Sequence, residues 1–261
     1  MAYFKFISMS FQRAISYRVE YFMAVLNAFL YIFIFTSVWR TLVPDGSTKN
    51  GLTSAQLTAY AVLSTLVKAS YGRNDSLLST RIRSGEISSD LLKPFHFPLM
   101  YLCDTIGASL FQLFSRALPL LVFCVFVFDI RLDMHAETFA KFIPLYLLSF
   151  LLFFLMSFLI SSMAFYFTDI FPFWIFYYAL ITLTSGAIIP VDFFPEEMQK
   201  LLYSTPFPYL FYFPTMAILG RDLVFSYPEL VLRYLVLIGS ALLLSWMSYR
   251  SGIRKLTIAG G

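Results

Sequence analysis

The residue types that ordinarily do chemistry are few in this chain and badly spaced for it. The two histidines, His96 and His135, fall in predicted loops on opposite sides of a membrane, so they cannot share a metal ion. No glycine-rich loop ends in Gly-Lys-Ser/Thr, and no lysine is followed by Ser or Thr, which removes the usual backbone cradle for ATP phosphates. Serines and aspartates occur, but no histidine joins them inside the apolar segments for acyl transfer. Cys103 and Cys124 form no Cys-x-x-Cys pair. On one helix they would stand ~30 Å apart, too far for a disulfide, and they read as small apolar core residues. One cation, Arg116, lies deep in an apolar run, with Asp104 and Asp169 as candidate partners. A lone charge at that depth is expensive. It reads either as a charge lining a path or as a snorkelling arginine that locks spans together. Asn27, Tyr31, Thr58 and Arg116 are the intramembrane polar residues a transport path would use.

The elements that must position these residues are membrane helices. Of 261 residues, 59% are hydrophobic and 13% charged, with 31 Phe and 17 Tyr; soluble domains average roughly 25% charged. The fold class is therefore all-α integral membrane, with the whole chain, residues 1–261, forming one transmembrane domain. A net charge of +4 does not indicate nucleic acid here, because Lys and Arg sit at span ends, where headgroups and the positive-inside rule explain them.

Residues 1–20 suggest an interfacial helix: Phe4, Ile7, Phe11 and Ile15 recur at helical spacing, with Lys5, Gln12 and Arg13 on another face. Six spans are expected, over about 21–39, 52–69, 99–128, 142–167, 170–189 and 229–249. No small-x-small cleavage site follows the first, so it should stay as an anchor. The second carries Thr53, Ser54, Gln56, Thr58, Ser64 and Thr65, a density of polar groups that suggests a span facing other helices or a wet path. Residues 129–141 read as a short polar turn. Between the fourth and fifth spans only Thr168 and Asp169 intervene, a tight hairpin. Residues 190–228 are apolar yet interrupted by Pro190, Pro195, Pro206, Pro208, Pro214 and Pro228. A seventh span there would carry three internal prolines, and two broken half-helices re-entering the outer leaflet fit better. Tyr17, Tyr21, Trp39, Tyr209 and Tyr212 read as interface anchors. Lys5, Arg13, Arg18, Lys68, Arg73, Arg81, Arg83, Lys93, Arg250, Arg254 and Lys255 fall on one side, against Arg40, Lys49, Arg131, Lys141, Lys200, Arg221 and Arg233 on the other. The richer side is cytosolic, and it holds both termini.

The longest continuously polar stretch is 71–98. Asn74 and Asp75 can cap a helix whose stripe is Leu77, Leu78 and Ile82, with Arg81 and Arg83 in its last turn. Gly85 suits the left-handed position beyond a helix end. Ser88 or Ser89 can cap a second turn carrying Leu91 and Leu92, and Pro94 and Pro98 then stop regular structure. This reads as a small amphipathic helix lying on the membrane surface, or as an ordinary solvated loop.

Three pieces resemble the membrane permeases of ABC-2 type ABC transporters, especially the subgroup that includes viologen and drug exporter permeases. They are Arg83-Ser-Gly-Glu-Ile-Ser-Ser-Asp-Leu-Leu-Lys-Pro94 with Pro98; Ser185-Gly-Ala-Ile-Ile-Pro190 with Phe194-Pro195, Pro206-Phe-Pro208, Pro214 and Leu219-Gly220; and the basic tail ending in Gly260-Gly261. Arg83 and Ser84 stand where many relatives carry Glu or Asp before the glycine. The resemblance implies a multi-pass subunit of the bacterial cell membrane in an ATP-driven exporter. It implies no cofactor and no enzymatic activity on this chain: ATP and magnesium belong to a separate ATPase subunit, in two copies. It also implies pairing with an identical or homologous second permease, with substrate moving between the two along faces of the first, second and fifth spans. Residues 71–98 would be the cytosolic coupling loop, with Leu77, Leu78, Arg81, Ile82, Arg83, Gly85, Glu86, Leu91, Leu92 and Lys93 facing or supporting the ATPase. The alternative is a secondary transporter or channel that works without ATP. It would favour inverted repeats and buried coupling carboxylates, and neither is evident.

Overall fold

Helical periodicity in residues 2–16 builds α1 (Ala2–Ser16), which carries Arg13 in its last turn. The apolar run that follows is α2 (Arg18–Leu42). The computed structural model describes residues 2–16, 18–43, 48–49, 51–72, 77–128 and 135–255. The expected caps at Asn74 and Asp75, the anchor Tyr17 and the tail glycines Gly260 and Gly261 lie outside them. A two-residue antiparallel ladder, β1 (Thr48–Lys49) with β2 (Leu52–Thr53), turns the chain into the next helix.

That helix, α3 (Ser54–Ser70), starts with a capping box. Gln56 donates its backbone N–H to Thr53 Oγ1 at 3.3 Å, and the Thr53 backbone N–H reaches Gln56 Oε1 at 3.1 Å. Its polar residues face protein. Thr65 Oγ1 donates to the carbonyl of Ala61 at 2.7 Å, and Ser70 Oγ lies 2.7 Å from both the Val67 carbonyl and the Tyr146 hydroxyl. Of the two environments open for this segment, other helices are the one observed.

Two short helices follow, α4 (Leu77–Arg83) and α5 (Glu86–Leu91). The long apolar run is α6 (Phe97–Gln112) and α7 (Leu118–Phe128), joined without a break by a π-turn, Leu113–Ala117. Next come α8 (Ala136–Ser162), α9 (Phe171–Thr184), α10 (Glu196–Tyr203), α11 (Pro208–Ile218) and α12 (Tyr227–Ile253). Among the described residues, four segments are long and apolar enough to cross a membrane: Tyr21–Leu42, Phe97–Phe128, Ala136–Phe165 and Tyr227–Ile253. α3 has 17 residues and α9 has 14. This is a multi-pass membrane protein built of helices.

Several boundaries and placements differ from expectation for identifiable reasons. α8 starts at Ala136, inside the stretch expected as a turn, because Glu137 and Lys141 pair across one helical turn at 2.6 Å. Pro98 does not end a segment; it sits in the first turn of α6, where its missing N–H has no helical acceptor to lose. Trp39, Tyr209 and Tyr212 are not interface anchors but are buried in the core. Tyr21 reaches the π-turn between α6 and α7, its hydroxyl donating to the carbonyl of Ser115.

The core runs along α3, α8, α11 and α12. Tyr71 stands at its centre, with the rings of Tyr146, Phe150, Phe153 and Phe211 within 5.2–5.7 Å of its own. Ser149 Oγ lies 2.7 Å from the Tyr209 carbonyl, and the Tyr234 hydroxyl donates to the same carbonyl at 2.6 Å, tying α8 and α12 to the head of α11. A smaller cluster joins α2, α3 and α7 through Ala28, Ile32, Val62, Leu66, Ala117 and Leu120.

Candidate functional site

α4 and α5 form an elbow. Seven and six residues are too few to hold a helix alone, so tertiary contacts define both. Leu78 and Ile87 are fully buried pins, one per helix. Between them Gly85 takes the left-handed region at φ 77°, and no heavy atom stands within 4 Å of an added Cβ. Backbone geometry alone selects glycine there. α5 starts at once at Glu86, so Ser88 and Ser89 lie inside that helix instead of capping it.

Asp90, 6% exposed, is the hub of the elbow. Arg81 Nη1 reaches its Oδ2 at 2.5 Å and Lys93 Nζ its Oδ1 at 2.6 Å. A carboxylate held this far from water needs such partners. Sequence reading singled out Arg81 and Lys93 but missed Asp90; the Asp90/Lys93 spacing of three was the available signal. Arg83 leaves the elbow altogether. Its Nε donates to the Thr168 carbonyl at 3.0 Å, its Nη2 donates to the same oxygen, and Nη2 lies 3.5 Å from Asp169 Oδ1. Arg83 therefore grips the connection between α8 and α9.

The two leucines after Asp90 part company. Leu91 is partly buried against the core, whereas Leu92 is 87% exposed, just past the end of α5. Leu77 and Ile82 also pack inward, while Glu86 and Gly85 are exposed. α1 lies beside the elbow: Tyr3 and Phe6 meet the ring of Phe95 edge-on at 5.8 and 5.7 Å. Arg13 Nη2 meets the Asp104 carboxylate at 2.7 Å, and Ser10 Oγ donates to the Asp104 carbonyl at 2.7 Å. A cleft of about 410 Å³ separates α1 from the elbow, lined by Phe6, Met9, Arg13, Glu86 and Lys93 among others.

These contacts engage the two carboxylates expected as partners of Arg116. Asp104 is engaged by Arg13 and Asp169 by Arg83. Arg116 sits in the π-turn, and one of its contacts is a donation from Nη1 to Gln112 Oε1 at 3.4 Å. The other intramembrane candidates do not converge on it. Asn27 is exposed on α2, Thr58 is buried in α3, and Tyr31 lies under Lys68, whose Nζ is 5.8 Å from its ring. None of these four lines the 410 Å³ cleft, a cavity of about 570 Å³ between α4 and α9, or one of about 390 Å³ bounded by His135, Lys141, Arg221 and Tyr227.

At the opposite end, the prolines shape a broken segment. Pro190 precedes a 3-10 turn, Pro195 is the N-terminal flank of α10, Pro206 lies in the α10–α11 turn, Pro208 opens α11 and Pro214 lies within it. The backbone that leaves the helical path is satisfied by side chains from α3. Tyr60 donates to the Gly186 carbonyl at 2.5 Å and Ser64 to the Ala187 carbonyl at 3.1 Å. The Tyr212 hydroxyl donates to Asp192 Oδ1 at 2.7 Å, and Gln199 Nε2 donates to the Phe194 carbonyl at 2.7 Å.

A family model described as ABC-2 family transporter protein matches residues 22–260. No curated protein matches the chain.

Proposed function

The chain belongs to the ABC-2 family of transporter proteins, and from that premise we propose that it is the permease subunit of an ATP-driven exporter. α3 and α9 complete six spans with the four long ones. Both termini and the elbow face the cytosol of a bacterial cell, and α10–α11 re-enters from outside. The subunit works as a dimer with an identical or homologous permease, and two copies of a separate ATPase subunit supply ATP hydrolysis.

The observation that carries this reading is the elbow itself. It is pinned by Leu78 and Ile87 and clamped at Asp90, and it holds out one large apolar side chain, Leu92, 87% exposed. Leu92, past one end of α5, and exposed Gly85 and Glu86, at its other end, offer a soluble partner an apolar and a polar contact. Of the faces expected to line a path, α3 is enclosed in its own protomer, which leaves α2 and α9. Their Leu26, Phe33, Phe171 and Phe176 point outward. The test is purification of the chain from its host in mild detergent. An ATPase subunit is expected to co-elute and to hydrolyse ATP; a chain that elutes alone and moves cargo in vesicles without nucleotide would overturn the reading.

A further inference from the structure

We infer that Asp90 and Arg83 are positioning residues that make the elbow one stiff arm and connect it to α9. The inference rests on the reading of α4–α5 as the ATPase-coupling element, and it specifies where the displacement goes. Two observations carry it.

The first is the arrangement around Asp90. Its two carboxylate oxygens are taken by two cations from different parts of the elbow, Arg81 in α4 and Lys93 beyond the end of α5, at 2.5 and 2.6 Å. One carboxylate thus fixes the angle between two helices too short to fix it themselves. Buried ion pairs add little net stability but can select one geometry, and registry is their best-attested use. The glycine joint at φ 77° has empty space around it, so packing there does not hold the angle. Asp90 holds it.

The second is the reach of Arg83. Two of its N–H groups converge on one backbone oxygen, that of Thr168, and Nη2 also approaches Asp169. Asp169 Oδ1 in turn accepts from the backbone N–H of Phe171, the first residue of α9, at 3.1 Å. A chain of polar contacts therefore runs Lys93/Arg81–Asp90–α4–Arg83–Asp169–α9. A bidentate guanidinium transmits direction as well as force, which a single ammonium contact does not. α9 is thus the span the arm drives.

The test uses the full complex with its ATPase and three pairs of spin labels on exposed positions: Ser84 with Ser89 across the elbow, Ser84 with Phe176 from elbow to α9, and Phe176 with Leu147 from α9 to α8. In the otherwise unaltered protein, trapping with ATP and vanadate should change the third distance and leave the first two fixed. Asp90→Asn should broaden the Ser84–Ser89 distribution even without nucleotide, and Asp90→Glu should restore most of its sharpness. In complexes that still hold the ATPase, Arg83→Gln should abolish the nucleotide-driven change between Phe176 and Leu147, with Arg83→Lys intermediate. A sharp distribution in Asp90→Asn, or an undiminished α9 displacement in Arg83→Gln, would overturn the inference. Absence of an ATPase from the purified complex would instead defeat the functional reading, and the nucleotide-free Asp90 measurement would still decide whether the arm is stiff.

Discussion

At the scale of single residues, position in space separates neighbours that composition treats alike. Leu91 and Leu92 are adjacent and identical in type, yet one packs inward and the other is 87% exposed. Leu92→Asp should therefore leave insertion and folding intact and lower co-purification of the ATPase, because an exposed substitution removes no internal packing. Leu91→Asp should reduce the yield of folded protein, because it places a charge against the core. Comparing the amount of detergent-stable chain with the amount of bound ATPase distinguishes the two. The same contrast shows what sequence can convey at this scale. The polar stretch, its paired arginines and its glycine joint are visible in the order of residues. Which leucine faces outward is not, because it depends on where a six-residue helix stops. The cations that engage Asp104 and Asp169 were equally out of reach: Arg13 and Arg83 come to them only through tertiary packing.

At the scale of elements, the broken segment between α9 and α12 is where local rules and packing agree best. Its prolines forbid one continuous helix, and two short helices form in its place. What proline spacing does not reveal is how the freed carbonyls are satisfied. Tyr60 and Ser64 do this from α3, and their hydroxyls were legible only as polar residues in a weakly hydrophobic span. Tyr60→Phe and Ser64→Ala should each destabilise the fold by about 1 kcal/mol, the typical net worth of a hydrogen bond, measurable by thermal unfolding in detergent. Gly186→Ala should cost more. Its φ of 75° penalises a side chain by about 1–2 kcal/mol, and the added Cβ would lie 2.7 Å from that of Tyr212. Buried Trp39, Tyr209 and Tyr212 mark the limit of reading aromatic residues from sequence. Their amphipathic rings suit a membrane interface as well as a core, and only the surrounding helices decide.

At the scale of the whole molecule, the elbow and the broken segment stand at opposite ends of the helices that join them. α3 reaches the broken segment through Tyr60 and the neighbourhood of α6 through Gly72, whose backbone N–H donates to Ser109 Oγ at 2.7 Å. In intact cells, a cysteine at Glu197, which is 87% exposed, should react with a membrane-impermeant maleimide, and one at Ser84 should react only after lysis. The reverse pattern would invert the topology. The sidedness expected from charge is what the labelling decides. The long apolar spans follow from hydropathy and are legible without coordinates. The mutual placement of the ends is not.

The brevity of α9 has a further consequence. Fourteen residues make a rod ~21 Å long, well short of the ~30 Å of hydrocarbon in a typical bilayer. As one of the six spans proposed above, α9 would require the lipid beside it to thin, at a cost that grows with each ångström of mismatch. The complex should therefore gather short-chain lipids along this flank, and its ATP turnover should fall as it is reconstituted into progressively thicker bilayers.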